Sequence, residues 1–157
     1  MMPAPSSSRA ETARTLSQIG INANLAPVVD LDVNPASPAI GAMGRSFSAD
    51  AQVVSEHARV VIEEHRARGV LTIVKHFPEH GSAAADSLRG FVDVSATWSE
   101  AELDPYRTLI HKGLVDVMMA AHVFNRNLDP EWPATLSPST ITGLLRQRLG
   151  FRAVDGA

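Results

Sequence analysis

The chain has 157 residues, of which 45% are hydrophobic and 20% are charged, so it can bury the core of one ordinary domain. A complete eight-stranded parallel barrel typically needs about 250 residues, so the chain is too short to form one. A formal net charge of -3 gives no long-range attraction for nucleic acid, and the absence of cysteine excludes disulfides, thiolate metal sites and a cysteine nucleophile.

Residues 1–8 lack a pattern of apolar residues that could anchor them, so we predict a flexible N-terminal segment, the flexible lead, over residues 1–8. This segment has neither the basic nor the apolar region of a secretory signal. No later apolar run approaches the roughly 18 residues of a membrane span. We therefore expect a cytoplasmic protein without a membrane or nucleic-acid partner, whose residues 9–157 form one domain.

The first part of this domain is predicted to hold a short helix, a strand, a long loop and a second helix. The helix runs from Arg9 to Ile19, and the apolar residues 24–30 predict a buried strand. Pro27 weakens that strand, because proline has no N–H to donate to a sheet. The loop 32–48 is longer than a connector needs, and the spacing of apolar residues predicts a helix over residues 50–68.

Two further units repeat this order of strand, loop and helix. Residues 70–74 predict a strand. The segment Thr97–Glu100 has the capping-box pattern of a helix start, and Asp104 with the following proline predicts a helix that reaches Lys112. Residues 115–121 predict the third strand, and residues 138–149 predict the third helix of these units.

The alternation predicts an α/β protein with a parallel sheet of about three βα units. Residues 151–154 are expected to begin a fourth strand. The alternation does not distinguish an open doubly wound sheet from a closed barrel. No Gly-x-Gly-x-x-Gly segment follows a predicted strand, which argues against a dinucleotide, and we expect no cofactor.

Each predicted strand ends in polar residues: Asp30, Lys75 with His76, and His122. A charged residue at such a position can simply mark where a strand leaves the core. The carboxyl ends of parallel strands, however, are also where the loops that form binding sites converge. Three polar strand ends therefore favour a polar pocket at that edge.

His76 and His80 have the spacing of two zinc ligands. The zinc motif of that spacing needs a helix, which Pro78 interrupts, so we expect no metal site. Three other histidines, His57, His65 and His111, lie on predicted helices among charged neighbours and are expected on solvated faces.

One segment resembles a known family. Lys75-His-Phe-Pro-Glu-His-Gly81, followed by Asp86-Ser87, is similar to the Lys-His-Phe-Pro-Gly-His-Gly and Asp-Ser-His segments of family 3 glycoside hydrolases of the β-N-acetylhexosaminidase type. Further matches occur in order along the chain, at Gly20–Asp30, Asn34-Pro35, Gly44–Phe47, Met119–His122, Pro133–Ser137 and Leu149–Phe151. The resemblance covers nearly the whole chain after residue 9.

The resemblance implies a partial TIM barrel and a retaining exo-hydrolase of terminal β-linked N-acetylglucosamine. It implies that Arg45, Lys75 and His76 bind the terminal sugar and that Asp30 supports the same pocket. These side chains suit sugar hydroxyls, because Arg and Lys only donate hydrogen bonds whereas a neutral imidazole donates and accepts. The expected partner is a small saccharide of the N-acetylglucosamine type.

The groups that would perform hydrolysis are incomplete. Retention needs a carboxylate nucleophile and an acid/base. The resemblance places the acid/base histidine at Leu88, which has no proton to transfer, so Asp86 is a remnant of the acid/base dyad and no catalytic residue is assigned. The family's Ser-Asp-Asp segment, which carries the nucleophile beyond Gly-Phe, has no match in residues 150–157, where Asp155 lacks the flanking pattern.

Two titratable residues, Glu79 and His80, lie close to this position in the sequence. Glu79 stands where the family has glycine, and His80 follows it. A productive acid/base must be placed within about 0.5 Å, so neither is expected to replace the missing histidine.

The leading hypothesis is therefore a β-N-acetylglucosaminidase that is incomplete and of impaired activity. The alternatives are a catalytically silent sugar-binding or interaction module and an α/β scaffold without a ligand. Three strands do not close a barrel, so we also expect self-association through open sheet edges.

Overall fold

The computed structural model describes residues 5–152, and its centre is a three-stranded parallel sheet in the order β1-β2-β3. In chain order the elements are α1 (Pro5–Gln18), β1 (Ala23–Asn24), α2 (Ala51–Arg66), β2 (Leu71–Phe77), a 3₁₀ turn (Glu100–Leu103), α3 (Asp104–His111), β3 (Val117–Ala120) and a π-helix (Ser139–Arg148). The predicted α/β class with three parallel strands is confirmed. Half of the fourth strand predicted at 151–154 falls outside the described residues, and Phe151 and Arg152 are irregular.

The first strand is shorter than the apolar run predicted, because only two residues form β1. Pro27 lies beyond it and lacks the N–H that a regular ladder needs. Pairing with β2 nevertheless continues: the Pro27 carbonyl accepts from the Lys75 N–H at 3.2 Å, and the Val29 N–H donates to the Lys75 carbonyl at 2.8 Å. Asp30 therefore follows directly on residues that are paired with β2.

The helix α1 begins at Pro5, ahead of the predicted start at Arg9 and inside the segment that we predicted as a flexible lead. Residues 1–4 of that segment lie outside the described residues. Arg9 joins α1 to its neighbours, since its Nη1 donates to the His57 carbonyl at 2.7 Å and its guanidinium lies 4.7 Å from the centre of the Phe47 ring.

The helix α2 forms where the sequence predicted it and covers the sheet. The Asp50 carboxylate caps its first turn by accepting from the N–H groups of Gln52 at 2.7 Å and Val53 at 3.3 Å. The apolar face is buried, and its members are Val54, Ala58, Val61 and Ile62. Gly69, whose φ of 68° favours glycine, follows the helix and turns the chain into β2.

Two local predictions are wrong. His65 does not lie on a solvated face but is buried, with its Nε2 3.0 Å from the Asn24 side-chain nitrogen. The reciprocal cap before α3 lies two residues later than the predicted Thr97–Glu100, because the Glu102 carboxylate accepts from the Ser99 N–H at 2.7 Å. A distant contact decided the outcome for His65, whereas the cap has the predicted spacing and is shifted by two residues.

The main core lies between the sheet, α2, α3 and the π-helix. Its largest fully buried members are Phe77, Tyr106, Leu103, Leu109, Ile62, Val29, Val54 and Val74. The Phe77 and Tyr106 rings meet edge to face, with centroids 5.3 Å apart. This packing fixes the carboxyl end of β2. Within residues 5–152 no helix combines the length and the apolar character that crossing a bilayer requires.

Candidate functional site

A buried carboxylate lies behind the imidazole of His76. Asp30 is fully buried, its Oδ2 lies 2.6 Å from Nδ1 of His76, and its Oδ1 accepts from the His80 N–H at 2.9 Å. Burial opposes ionisation of Asp30, but hydrogen bonds from His76 and Glu79, the charge of His76 and the His80 N–H together lower its pKa. The Asp30 carboxylate accepts from Nδ1 of His76, so Nδ1 carries a proton, and in the neutral form of the imidazole Nε2 is then the acceptor.

Arg45 reaches the same imidazole from the long loop after β1. Its Nη1 donates to the Ala39 carbonyl at 2.7 Å, which holds the guanidinium, and its Nη2 lies 3.4 Å from Nε2 of His76. Ser46, the next residue, donates its hydroxyl to the Asp30 carbonyl at 2.6 Å. The loop that carries Arg45 is thus attached to the end of the first strand.

Lys75 precedes His76 on β2 and is half-buried. Burial lowers the pKa of its ammonium group, the positive charge of Arg45 lowers it further, and the negative charge of Asp30 opposes both. These influences place Lys75 in the same charged neighbourhood, although it lies outside the lining of the cavity.

The cavity opens at the carboxyl ends of β2 and β3 and has a volume of about 560 Å³. Its polar lining is Arg45, His76, His80, Asp86, Ser87 and His122, and its apolar lining is Ala39, Leu88, Met119, Ala120 and Ala121. Small-molecule sites commonly measure about 300–1,000 Å³ and combine apolar walls with a few convergent polar groups. Of the predicted sugar-binding residues, Arg45 and His76 line this cavity and Asp30 lies behind it.

The loop after β2 forms the rim of the cavity. His80 is buried, and its Nε2 lies 3.0 Å from the Ser87 hydroxyl. Asp86 accepts from the Leu88 N–H at 3.0 Å, so its carboxylate is engaged with its own loop. The Leu88 residue is 93% exposed at the rim and offers no group that can transfer a proton.

Glu79 is part of the site's support, and the sequence pattern did not reveal this. It is fully buried and lies beneath the cavity rather than in its lining. Burial, followed by the charge of Asp30, raises the pKa of Glu79 well above its ordinary value. The only local signal was an acidic residue between Pro78 and His80 at a strand end.

Within residues 5–152, no three His, Asp or Glu side chains are grouped so that they could hold a metal ion. The His76 and His80 rings lie 6.1 Å apart, and each is engaged with a different partner, Asp30 and Ser87 respectively.

Parallel βα units with a polar cavity at their carboxyl ends have the architecture expected for part of a (β/α)-barrel domain. The sequence model of the glycosyl hydrolase family 3 N-terminal domain matches residues 7–154, and the chain belongs to this family. The predicted membership and the predicted partial barrel are both confirmed.

Relatives support the same assignment. The chain is 40% identical to a β-hexosaminidase from Xylella fastidiosa strain M23 over 138 residues, which are 86% of this chain and 39% of the relative. It superposes on the crystal structure of a β-N-acetylhexosaminidase from Beutenbergia cavernae with a TM-score of 0.88 and 33% identity, covering 96% of this chain and 47% of the other.

A third relative was solved with a ligand. NagZ from Neisseria gonorrhoeae, in complex with N-trifluoroacetyl-D-glucosamine, gives a TM-score of 0.81 and 27% identity over 95% of this chain and 44% of that one. The chain spans less than half the length of each of these three relatives.

Proposed function

We propose that the chain carries the saccharide-binding part of a retaining exo-β-N-acetylglucosaminidase and that its hydrolytic activity is impaired. The observation that supports this most is the convergence of Arg45 and His76 on one cavity, with His76 backed by the Asp30 carboxylate. An acceptor nitrogen beside a fixed guanidinium can bind adjacent hydroxyls of one sugar.

The proposed ligand is a small saccharide that ends in N-acetylglucosamine. From the lining of the cavity Arg45 donates to hydroxyl or amide oxygens and Nε2 of His76 accepts from a hydroxyl, and Lys75, which precedes His76 on β2, is proposed as a further donor at the edge of the site. The names of the relatives support the ligand class, since they are hexosaminidases and one of them holds an N-acylated glucosamine. The cavity volume of about 560 Å³ is sufficient for one such sugar and part of an aglycone.

The proposal of impaired hydrolysis depends on the rim. The position that the family resemblance gives to the acid/base is Leu88, and Asp86 remains as the other half of that dyad. Among the described residues Asp86 is the one carboxylate in the lining, whereas retention uses a nucleophile as well as a proton donor. His80 remains hydrogen-bonded to Ser87, and Glu79 does not reach the cavity.

A catalytically silent sugar-binding module is the second candidate, and the exposed Leu88 side chain favours it. Titration calorimetry with N-acetylglucosamine, together with release of a chromophore from a chromogenic N-acetylglucosaminide, separates the two. Slow release that Arg45→Ala abolishes supports the impaired enzyme, and saturable binding without release supports the module. Binding that does not distinguish N-acetylglucosamine from glucose, or that survives Arg45→Ala unchanged, contradicts both.

The cytoplasmic location stays a prediction. Fractionation of cells that express the tagged full-length gene product tests it, and recovery outside the cytoplasm would contradict it.

A further inference from the structure

Phe47 lies two residues after Arg45, at the end of the loop 32–48, and does not line the saccharide cavity. Its ring is half-buried and packs against the main core. The proposed binding chemistry does not use this residue. The contacts of the Phe47 ring therefore indicate what holds the end of the loop that carries Arg45.

Two helices supply polar contacts of the Phe47 ring. From α1, the guanidinium carbon of Arg9 lies 4.7 Å from the ring centre. From α2, the His57 ring stacks on Phe47 with centroids 5.2 Å apart and an interplanar angle of 19°. Nη1 of Arg9 also donates to the His57 carbonyl at 2.7 Å, so one guanidinium joins α1 to both the loop and α2. A cation beside an aromatic face is attracted to it, and more strongly where it is partly withdrawn from water, as the half-buried Arg9 is.

The position of Arg45 depends on how the end of this loop is held. Between Arg45 and Phe47, Ser46 donates to the Asp30 carbonyl at 2.6 Å and attaches the loop to the first strand. Phe47 attaches the same turn of chain to the helices. Nη2 of Arg45 lies 3.4 Å from Nε2 of His76, close to the limit of a hydrogen bond. A displacement of the loop by about 1 Å is therefore enough to separate the two groups that converge on the cavity.

We propose that Arg9 and Phe47 are positioning residues of the saccharide site: α1 holds the loop through the Phe47 ring, and the loop holds Arg45 beside His76. Both residues act through Arg45, because neither lines the cavity. The effect on sugar affinity rests on the proposed function, whereas the order of the loop does not.

The test replaces Arg9 and follows the loop and the ligand separately. Arg9→Met keeps an unbranched side chain of similar helix propensity and removes the charge and the donor. The N–H groups of Ala42 and Arg45, which are hydrogen-bonded within the loop, are expected to exchange about tenfold faster with solvent deuterium than in the parent. Exchange in β2 is expected to be unchanged. Titration calorimetry with N-acetylglucosamine is expected to show an affinity about tenfold lower.

Matched variants show whether the effect belongs to the contact between Arg9 and Phe47. Arg14→Met, on the same helix with a side chain 60% exposed, should leave both measurements unchanged. Arg9→Lys keeps a cation that can donate to the His57 carbonyl, so it should restore most of the loop's protection. Phe47→Leu keeps an apolar side chain without an aromatic face and should open the loop as Arg9→Met does. Phe47→Tyr keeps the face and should protect the loop as the parent does.

The possible outcomes separate the inference from the proposed function. Loop exchange in Arg9→Met that equals that of the parent overturns the inference. An equal acceleration in β2 also overturns it, because it would show a loss of global stability. So does faster loop exchange with unchanged affinity in a parent that binds the sugar. Should the parent bind no sugar while Arg9→Met opens the loop alone, the proposed function fails and the positioning of the loop by α1 stands.

Discussion

Asp30 and His76 stand 46 residues apart in the chain and are joined by a hydrogen bond of 2.6 Å between Oδ2 and Nδ1. The pairing of the first strand with β2 brings them together. The Val29 N–H donates to the Lys75 carbonyl, and Asp30 and His76 are the residues that directly follow this pair. Sheet register therefore sets the geometry of this pair. Loss of the Asp30 carboxylate therefore changes the orientation of the His76 imidazole and weakens the attachment of the first strand to the end of β2.

Replacing Asp30 is expected to weaken both folding and saccharide binding. In Asp30→Asn one carboxylate oxygen becomes an NH₂ group, which faces hydrogen-bond donors of His76 and His80 and cannot accept from them. The free energy of unfolding should therefore fall by about 2–4 kcal/mol. N-acetylglucosamine affinity should fall by about tenfold, as the loss of one hydrogen bond to a charged group implies. Urea denaturation and titration calorimetry measure these effects. Asp86→Asn, at the rim, is the matched control and should change stability by less than about 0.5 kcal/mol.

The lowered pKa of Asp30 predicts a loss of stability in acid. Because the folded-state pKa lies below the ordinary value of 3.8, the contribution of Asp30 is present above that value and is lost as the pH falls through the folded-state pKa. Urea unfolding at successive acidic pH values should show this decline. The decline should be shallower in Asp30→Asn, and an equal slope in the two proteins would contradict the assignment.

Arg45 is expected to act through its geometry as well as its charge. One nitrogen is held by the Ala39 carbonyl at 2.7 Å while another faces His76 at 3.4 Å, an arrangement that a lysine ammonium does not reproduce. Arg45→Lys should therefore lower saccharide affinity by about tenfold, and Arg45→Ala by more. Arg89→Lys, with a side chain 88% exposed, is the control and should bind as the parent does.

Much of the fold followed from local patterns, whereas the burial of two polar residues, Glu79 and His65, did not. The alternation of apolar runs and amphipathic segments predicted three βα units, and the polar residues at the strand ends predicted that Asp30 and His76 belong to one pocket. The burial of Glu79 was not accessible from the sequence, because one of its partners, the Leu31 N–H, lies 48 residues away and the residue adopts an unusual φ. His65 was misplaced for the same reason, since its partner Asn24 is 41 residues away. Local periodicity does not encode such distant polar pairs.

Tyr106 is expected to tolerate the loss of its hydroxyl. The residue is fully buried, and its hydroxyl has no hydrogen-bond partner in the described part of the chain. Tyr106→Phe should leave the free energy of unfolding unchanged or raise it by about 1 kcal/mol, because an unpaired buried hydroxyl is costly. Tyr106→Leu is the comparison, since it also loses the edge-to-face contact with Phe77 and should destabilise by about 1–3 kcal/mol. A loss in Tyr106→Phe equal to that in Tyr106→Leu would show that the hydroxyl is bonded.

The sheet edges predict self-association of the 157-residue chain. Within residues 5–152, β1 and β3 each pair only with β2, so each presents one row of backbone groups without a neighbouring strand. Such edges template pairing with another chain. Sedimentation velocity at increasing protein concentration should therefore show oligomers whose share grows with concentration. A single monomeric species at all concentrations, with a cooperative thermal transition, would contradict this, because it would mean that the loops and helices cover both edges.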